Sequence, residues 1–229
     1  NFANPEVSAA YLKLMEAGQE AMKWIMAVGE VGQIALSSGF PNIWGGMCGA
    51  PFDMVGDWLR GTRGIMMDMF QRPDKLHAAM DRLVPVVIKK AIAAVDFSGS
   101  PLVFFPLHKG ADTFMSVKQY ETFYWPTLKK VVMALANEGI ISILFAEGSY
   151  NNRLDIIGDF PKGSVAWYFD QTDIFKAKEK IGDRCCIIGN IPASLIMTGT
   201  PRQVKEHCRK LIEVCGKGGG YILAGGANV

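Results

Sequence analysis

The chain of 229 residues is 49% hydrophobic and carries a formal net charge of only +2 at pH 7. Its mean hydropathy is positive, which indicates a substantial core, and no basic block favours nucleic-acid binding. No apolar run approaches the ~18–20 residues needed to cross a bilayer, and the first residues lack the features of a signal peptide. The five scattered cysteines do not suggest a disulfide framework, so we expect a cytoplasmic location and no membrane partner.

Helical and strand patterns alternate along the chain. Apolar residues at helical spacing, glycine breaks and prolines at first helical positions define the predicted elements. The predicted helices cover residues 6–29, 51–71 with breaks at Gly61 and Gly64, 72–95, 117–138, 151–158, 173–181 and 201–215. The predicted strands cover residues 33–38, 102–106, 140–146, 165–169, 185–188 and 221–224. A long glycine-rich loop, 39–50, separates the first predicted strand from the helix at Pro51, and its length favours a functional role.

This alternation predicts a parallel α/β architecture, either an open doubly wound sheet or a closed barrel. No glycine-rich turn of the dinucleotide or phosphate-binding kind joins a strand to a helix, so we expect no nucleotide cofactor. The chain begins in a helix without methionine and stops on a strand, whereas a (β/α)8 TIM barrel has eight strands in ~250 residues. We therefore expect one truncated barrel domain over residues 1–229, incomplete at both ends, with about six parallel strands.

Polar residues follow several of the predicted strands. Glu147 ends the apolar run 140–146, Asp170 ends the next strand, and Asn190 ends the strand after that. In a parallel barrel such positions face the active-site mouth, so we expect these three side chains to share one rim. The alternatives are that Glu147 caps a turn or pairs with Arg153, and that Asn190 forms an Asx turn.

Two further candidates lie near this predicted rim. His108 is the histidine outside a helical pattern, in the loop after strand 102–106, where it is either a site residue or a solvent-exposed loop residue. Asp53 and Asp57 are four residues apart in the helix after the long loop and therefore share a helix face. Two carboxylates there are either a site pair or part of a solvated surface.

Several motifs resemble the uroporphyrinogen decarboxylase superfamily, in the same order along the chain from about residue 30 to the end. They are Gly49-Ala50-Pro51-Phe52, Arg60-Gly61, the Met-Met-Asp-Met-Phe segment ahead of Arg72-Pro73, Gly189-Asn190-Ile191-Pro192-Ala193, Thr198-Gly199-Thr200-Pro201 and the closing Gly-Gly-Tyr-Ile-Leu. The resemblance implies a (β/α)8 barrel in which the present strands are the third to the eighth. It also implies one of two chemistries: decarboxylation of a tetrapyrrole in porphyrin biosynthesis, without a cofactor, or methyl transfer between a corrinoid protein and a thiol activated by zinc.

The chain departs from both patterns. Asp57 stands where the decarboxylases have a tyrosine, and their histidine near the last strand end is not found. The zinc methyltransferases have His-x-Cys-Gly where this chain reads Phe145-Ala146-Glu147-Gly148, and their last cysteine corresponds to Gly226. The thiol-activating zinc set is therefore absent, although Glu147 occupies the place of one metal ligand.

Our leading hypothesis is a methyltransferase of this superfamily acting on a corrinoid-bound methyl group or a methylated small molecule. Glu147 is expected to be a metal ligand, for zinc if a metal binds, or a general base, with Asp170 and His108 also catalytic. The expected substrate-binding residues are Asn190, Asp57, Phe52 and Tyr150. Decarboxylation of uroporphyrinogen or another carboxylated substrate, and a non-catalytic barrel scaffold, are the alternatives. A corrinoid protein and a second copy of the chain are the partners that the resemblance allows.

Overall fold

A computed structural model describes residues 3–40 and 45–226 of the chain. Internal contacts divide the chain into two units, Asn1–Ile43 and Trp44–Val229, which are described separately. The described part of the first unit is mainly helix α1, Pro5–Ser37, whose cap residue Asn4 accepts a hydrogen bond from the backbone N–H of Glu6 at 2.8 Å.

The predicted strand over residues 33–38 was wrong, because residues 33–37 continue helix α1. Gly29 and Gly32 were interpreted as the end of this helix, but a glycine inside a helix costs only about 1 kcal/mol and does not stop it. The helix ends instead before Gly39, whose φ of +85° is the left-handed conformation that commonly follows a helix C-terminus.

The second unit is built on one sheet of six parallel strands, hydrogen-bonded in chain order from β1 to β6. The strands are β1 Gly46–Met47, β2 Leu102–Leu107, β3 Ile141–Ala146, β4 Val165–Phe169, β5 Cys186–Ile188 and β6 Tyr221–Ile222. Six consecutive parallel strands with helical crossovers form a portion of the wall of a (β/α)8 barrel, which confirms the predicted fold class.

Helical segments connect these strands. They are α2 Pro51–Met54, a π-helical turn Val55–Arg60, α3 Gly61–Gln71, α4 Pro73–Ser98, α5 Val117–Gln119, a second π-helical turn Tyr120–Tyr124, α6 Trp125–Asn137, a 3₁₀ turn Asn151–Arg153, α7 Ile174–Ile181, α8 Ala193–Thr198 and α9 Pro201–Cys215. The helix predicted over residues 151–158 is thus only the short turn Asn151–Arg153. The five later strands were predicted to within two residues at each end. The first strand, β1, lies inside the segment predicted as the loop 39–50, of which residues 41–44 lie outside the described part of the chain.

The core lies between the sheet and the helices. Burial alternates along β2 and β3, so that Phe105 and Leu144 are fully buried while Phe104 and Phe145 on the opposite face remain partly exposed. The interior is aromatic, with Trp167 of β4 fully buried among neighbouring rings. Among the helices of the described residues, none combines the length and apolar character that a membrane span requires.

Candidate active site

The loops that follow β2, β3 and β4 are tied to one another at the carboxyl edge of the sheet. The backbone N–H of Asp112 donates to the carbonyl of Ser149 at 2.7 Å, and that of Gln171 donates to the carbonyl of Gly148 at 3.0 Å. Because neighbouring parallel strands end at the same edge, these bonds bring the three post-strand loops into one rim.

His108 is the centre of the candidate site at this rim. Its Nδ1 lies 2.8 Å from a carboxylate oxygen of Asp57, and its Nε2 lies 3.7 Å from a carboxylate oxygen of Glu147. Burial of the ring lowers the pKa of His108, but the hydrogen bond to Asp57 and the nearby carboxylates outweigh it and raise the pKa above 6.5. Nδ1–H therefore donates to Asp57, and the second ring nitrogen is available for proton transfer.

Asp57 reaches His108 from the π-helical turn Val55–Arg60, and Lys109 occupies its other oxygen. The ammonium of Lys109 donates to this carboxylate, and the Lys109 side chain is 7% exposed. Burial raises the pKa of Asp57, but the hydrogen bonds from Lys109 and His108 prevail and lower it below its usual value. The side chain of Lys109 runs over Gly56, where an added Cβ would lie 2.8 Å from its Cε.

Asp53 lies one helical turn before Asp57 and is buried beneath the same loop. Its two oxygens accept hydrogen bonds from the backbone N–H groups of His108 and Lys109, at 3.1 and 3.0 Å, and from the hydroxyl of Tyr124 at 2.5 Å. Burial raises the pKa of Asp53 to about 6 against the lowering effect of the Tyr124 bond. The spacing of Asp53 and Asp57 had indicated a shared helix face, and the structure joins both carboxylates to one loop.

Asp170 and Asn190 lie farther along the rim. Asp170 accepts a hydrogen bond from the backbone N–H of Gly148 at 3.0 Å, and the Asn190 amide donates to the carbonyls of Asp170 and Thr172 at 2.9 and 2.7 Å. Both side chains line a cavity of about 650 Å³ at the ends of β4 and β5. Glu147 instead faces His108. The three strand-end residues therefore lie on neighbouring parts of the rim, which the hydrogen bond from Gly148 to Asp170 joins.

Phe52 and Tyr150, which were expected to bind substrate, are both fully buried. The Phe52 ring packs 5.5 Å from that of Tyr124, and the hydroxyl of Tyr150 donates to the carbonyl of Leu107 at 3.4 Å. These contacts place the two side chains beneath the rim, where they support the loops that carry the exposed polar groups.

Arg153 does not pair with Glu147, which was the alternative to a catalytic role for that carboxylate. Arg153 is 1% exposed, donates to the carbonyl of Met115 at 2.5 Å, and lies 3.5 Å from Asp112 and 4.7 Å from the ring centre of Tyr120. This buried cation was not predicted as a support of the site, because its partners in the segment 110–120 lie more than 30 residues away in the sequence.

The described residues do not fit a metal centre. Across residues 3–40 and 45–226, no three His, Cys, Asp or Glu side chains are grouped so that they could hold a metal ion. Glu147 has His108 beside it, but the other ring nitrogen of His108 is bonded to Asp57, and Asp57 is bonded to Lys109. Glu147 as a ligand of zinc therefore stays a prediction.

Comparison with known proteins identifies the family. The family model "Uroporphyrinogen decarboxylase (URO-D)" matches residues 7–229. The uroporphyrinogen decarboxylase of Saccharophagus degradans is 28% identical over 160 residues, covering 68% of this chain and 43% of that protein. That of Cellvibrio japonicus is 25% identical over 188 residues, covering 78% of this chain and 51% of that protein.

The chain thus spans about half the length of the curated relatives that it matches. A solved structure, the methyltransferase from Methanosarcina mazei, is similar with a TM-score of 0.59 at 18% identity, covering 80% of this chain and 52% of that one. This likeness supports the fold. Because the family model extends over nearly the whole sequence, the chain belongs to the uroporphyrinogen decarboxylase family.

Proposed function

We propose that this chain forms part of an enzyme that transfers a methyl group from a small methylated substrate, with His108 as the general acid. The observation that carries the proposal is the position of the imidazole, bonded through Nδ1 to Asp57 and facing Glu147 through Nε2. An imidazole held in this way is suited to donate one proton from a defined atom, which is the usual requirement of general acid catalysis.

The space beside His108 favours a small, largely apolar substrate. A cavity of about 210 Å³ opens next to the ring, and its walls combine the polar groups of His108, Asp53, Asp57 and Lys90 with apolar side chains. The apolar wall consists mainly of Met47, Cys48, Met54, Trp58 and Pro106. Because pockets for drug-sized ligands span roughly 300–1,000 Å³, a cavity of this volume suits a small molecule.

The charges around the ring favour the same class of substrate. The carboxylates of Asp57 and Glu147 flank His108, and Asp170 lies nearby on the same rim, whereas the cation of Lys109 already pairs with Asp57. Glu147 and Asp170 repel an anionic ligand, whereas Lys90 in the wall of the cavity attracts one, so this balance of charge suits a small neutral substrate better than a polycarboxylate.

The chemical step requires one proton. In methyl transfer from an oxygen or nitrogen atom, the acceptor forms a bond to the methyl carbon while the bond from that carbon to the heteroatom breaks. The electron pair of the broken bond stays on the heteroatom, which takes the proton from Nε2 of His108. Asp57 keeps the positive imidazole in place before the transfer and is not itself protonated. A corrinoid on a separate protein would supply the nucleophile that receives the methyl group.

An assay of the full-length protein tests this role. The protein is incubated with methylated small molecules and a reduced corrinoid, and the demethylated product is measured by mass spectrometry. We expect His108→Gln to lower the rate by about 10²–10⁴-fold, the usual contribution of a general acid. His77→Gln is the matched control, because His77 lies in α4 and stacks on Phe123 outside the site. This variant should change the rate less than twofold. Equal rates for the wild-type protein and His108→Gln would refute the proposal.

A second candidate is decarboxylation, and the names of the curated relatives favour it. The same proton of His108 would then go to the carbon atom that loses CO2. Release of CO2 from uroporphyrinogen, without transfer of any methyl group, would replace the first proposal by this one. A folded protein that is inactive in both assays would favour the third alternative, a barrel scaffold without catalysis.

A further inference from the structure

We propose that Asp53 is a positioning residue, a buried carboxylate that holds the main chain of His108 and Lys109 and thereby sets the direction of the His108 ring. The inference rests on the proposed role of His108 for its catalytic meaning. Its structural content can be measured without any activity, so the two proposals can fail separately.

The hydrogen bonds of Asp53 form a clamp on the loop after β2. One carboxylate oxygen accepts from the N–H of Lys109, and the other accepts from the N–H of His108 and from the hydroxyl of Tyr124. Two consecutive backbone donors on the two oxygens of one carboxylate leave the peptide plane between them little freedom to rotate. Asp53 is 1% exposed, so water does not compete for these bonds.

The need for two acceptor oxygens explains why the residue is an aspartate. Burying a carboxylate is costly unless several donors compensate it, and an apolar residue in its place would avoid that cost. An asparagine has the same shape but only one acceptor oxygen, so its amide group would face one of the two N–H donors. Asp53 therefore supplies a second acceptor oxygen, which an asparagine of the same size lacks.

The clamp acts together with Asp57 on a single residue. Asp53 holds the main chain of His108, and Asp57, four residues later in the same helical segment, holds its ring at Nδ1. Since both carboxylates belong to one helical segment, the distance between the two points of attachment is set by that segment. His108 is thus fixed at two points, and Nε2 remains directed toward Glu147.

The test compares Asp53→Asn with Tyr124→Phe in the full-length protein by NMR with labelled histidine. In Asp53→Asn we expect the amides of His108 and Lys109 to exchange with solvent at least about tenfold faster. The Nδ1–H signal of His108 should also broaden or disappear. At a pH well above the pKa of Asp53, Tyr124→Phe removes a donor to the same carboxylate but leaves the two backbone bonds and the charge, so both readings should stay within twofold of the wild type.

Activity gives a separate reading on the same variants. Asp53→Asn should lower kcat at least tenfold while KM changes less than threefold, because the substrate still enters a cavity of the same size. If kcat falls without a change in amide exchange or in the Nδ1–H signal, Asp53 does not act by positioning. If no methyl transfer is detected in any form but the NMR changes occur, the clamp stands and the proposed function fails.

A titration of the wild-type protein provides a test that can be done even if Asp53→Asn does not fold. Protonation of Asp53 adds a hydrogen to one of its oxygens and weakens the bonds to the loop. The amide shifts of His108 and Lys109 should therefore follow the carboxyl carbon of Asp53 with a common midpoint. Tyr124→Phe should move that midpoint upward, since the Tyr124 bond lowers the pKa of Asp53. Amide shifts that follow only the imidazole of His108, or do not titrate, would overturn the inference.

Discussion

At the scale of single residues, the charged partners of His108 and Asp57 determine the direction in which the pKa of each group is shifted. His108 has carboxylates at both ring nitrogens, Asp57 has two cationic partners, and each bond changes the proton affinity of the group that it contacts. The pKa of His108 is raised and that of Asp57 is lowered, which stabilises the charged form of both. The pair therefore favours the protonated form of the imidazole.

This pairing predicts the pH dependence of Asp57→Asn. A general acid must be protonated, so the rate of the wild-type protein should fall as pH rises through the raised pKa of His108. Asp57→Asn removes the partner that raises this pKa, and we expect the falling limb of kcat/KM to move to lower pH. The contribution of His108 to stability, fully present below pH 6.5 and lost as pH rises through the folded pKa, should shrink as well. An unchanged pH profile of kcat/KM would contradict the pairing.

Buried Arg153 predicts a large loss of stability. Its removal in Arg153→Met leaves Asp112, which lies 3.5 Å away, without a cationic partner, and breaking such a buried pair costs about 3–5 kcal/mol. Urea unfolding measures the change in the free energy of unfolding. Arg202→Met is the matched control: Arg202 is 87% exposed beside Glu206, and an exposed pair contributes about 0.2–1 kcal/mol. Equal losses in the two variants would argue against the buried network.

At the scale of elements, the π-helical turn Val55–Arg60 links the helix at Pro51 to the loop after β2. The turn carries Asp57 toward His108, while its Gly56 leaves room for the stem of Lys109. The sequence around these residues looked like an ordinary helix with glycine breaks. The segment is instead π-helical, and it carries the carboxylate that holds the His108 ring.

Gly56→Ala should disturb the packing of the turn Val55–Arg60 against Lys109. The new Cβ would lie 2.8 Å from Cε of Lys109, so the stem of this buried lysine must shift, and we expect its bond to Asp57 to weaken. We expect a loss of about 1–3 kcal/mol in the free energy of unfolding, the usual cost of overpacking. Gly225→Ala is the matched control, because its Cβ would meet Ile196 at an ordinary 3.8 Å, and it should stay within about 0.5 kcal/mol. A stable Gly56→Ala protein with an intact Lys109–Asp57 pair would contradict this packing.

At the scale of the whole molecule, the sheet buries its aromatic core toward the helices and presents the site at its carboxyl edge. Trp167 is fully buried, whereas Trp58 is 82% exposed beside the small cavity. The two tryptophans therefore allow stability and the proposed substrate binding to be tested separately.

Trp167→Ala and Trp58→Ala test this separation. Removing the buried side chain should cost about 3–5 kcal/mol of unfolding free energy. Removing the exposed one should change it by less than about 0.5 kcal/mol. Because Trp58 lines the cavity beside His108, its removal should instead raise KM for a methylated substrate. Thermal unfolding and steady-state kinetics together measure both effects, and a large stability loss in Trp58→Ala would place that side chain in the core.

Much of the fold followed from local pattern. Apolar runs between glycines located β2, β3 and β4 within one or two residues, and a proline at the first position located the helix Pro201–Cys215. The two-residue strand β1 was missed, because so short a strand has no periodicity of its own. The false strand at residues 33–38 arose because a short apolar run does not distinguish a strand from a helix.

The sequence by itself determined that strands and helices alternate, which predicts parallel strands, and that polar residues follow the strands, because apolar runs, helical spacing and glycine breaks are local properties of the chain. Only the tertiary structure decided which polar groups meet. Asp57 and His108 are 51 residues apart, and Asp53 and Tyr124 are 71 residues apart, so no local pattern relates them. Their contacts exist because the helical segment after β1 packs over the loop after β2, and that packing determines which carboxylate is buried and which one holds the imidazole.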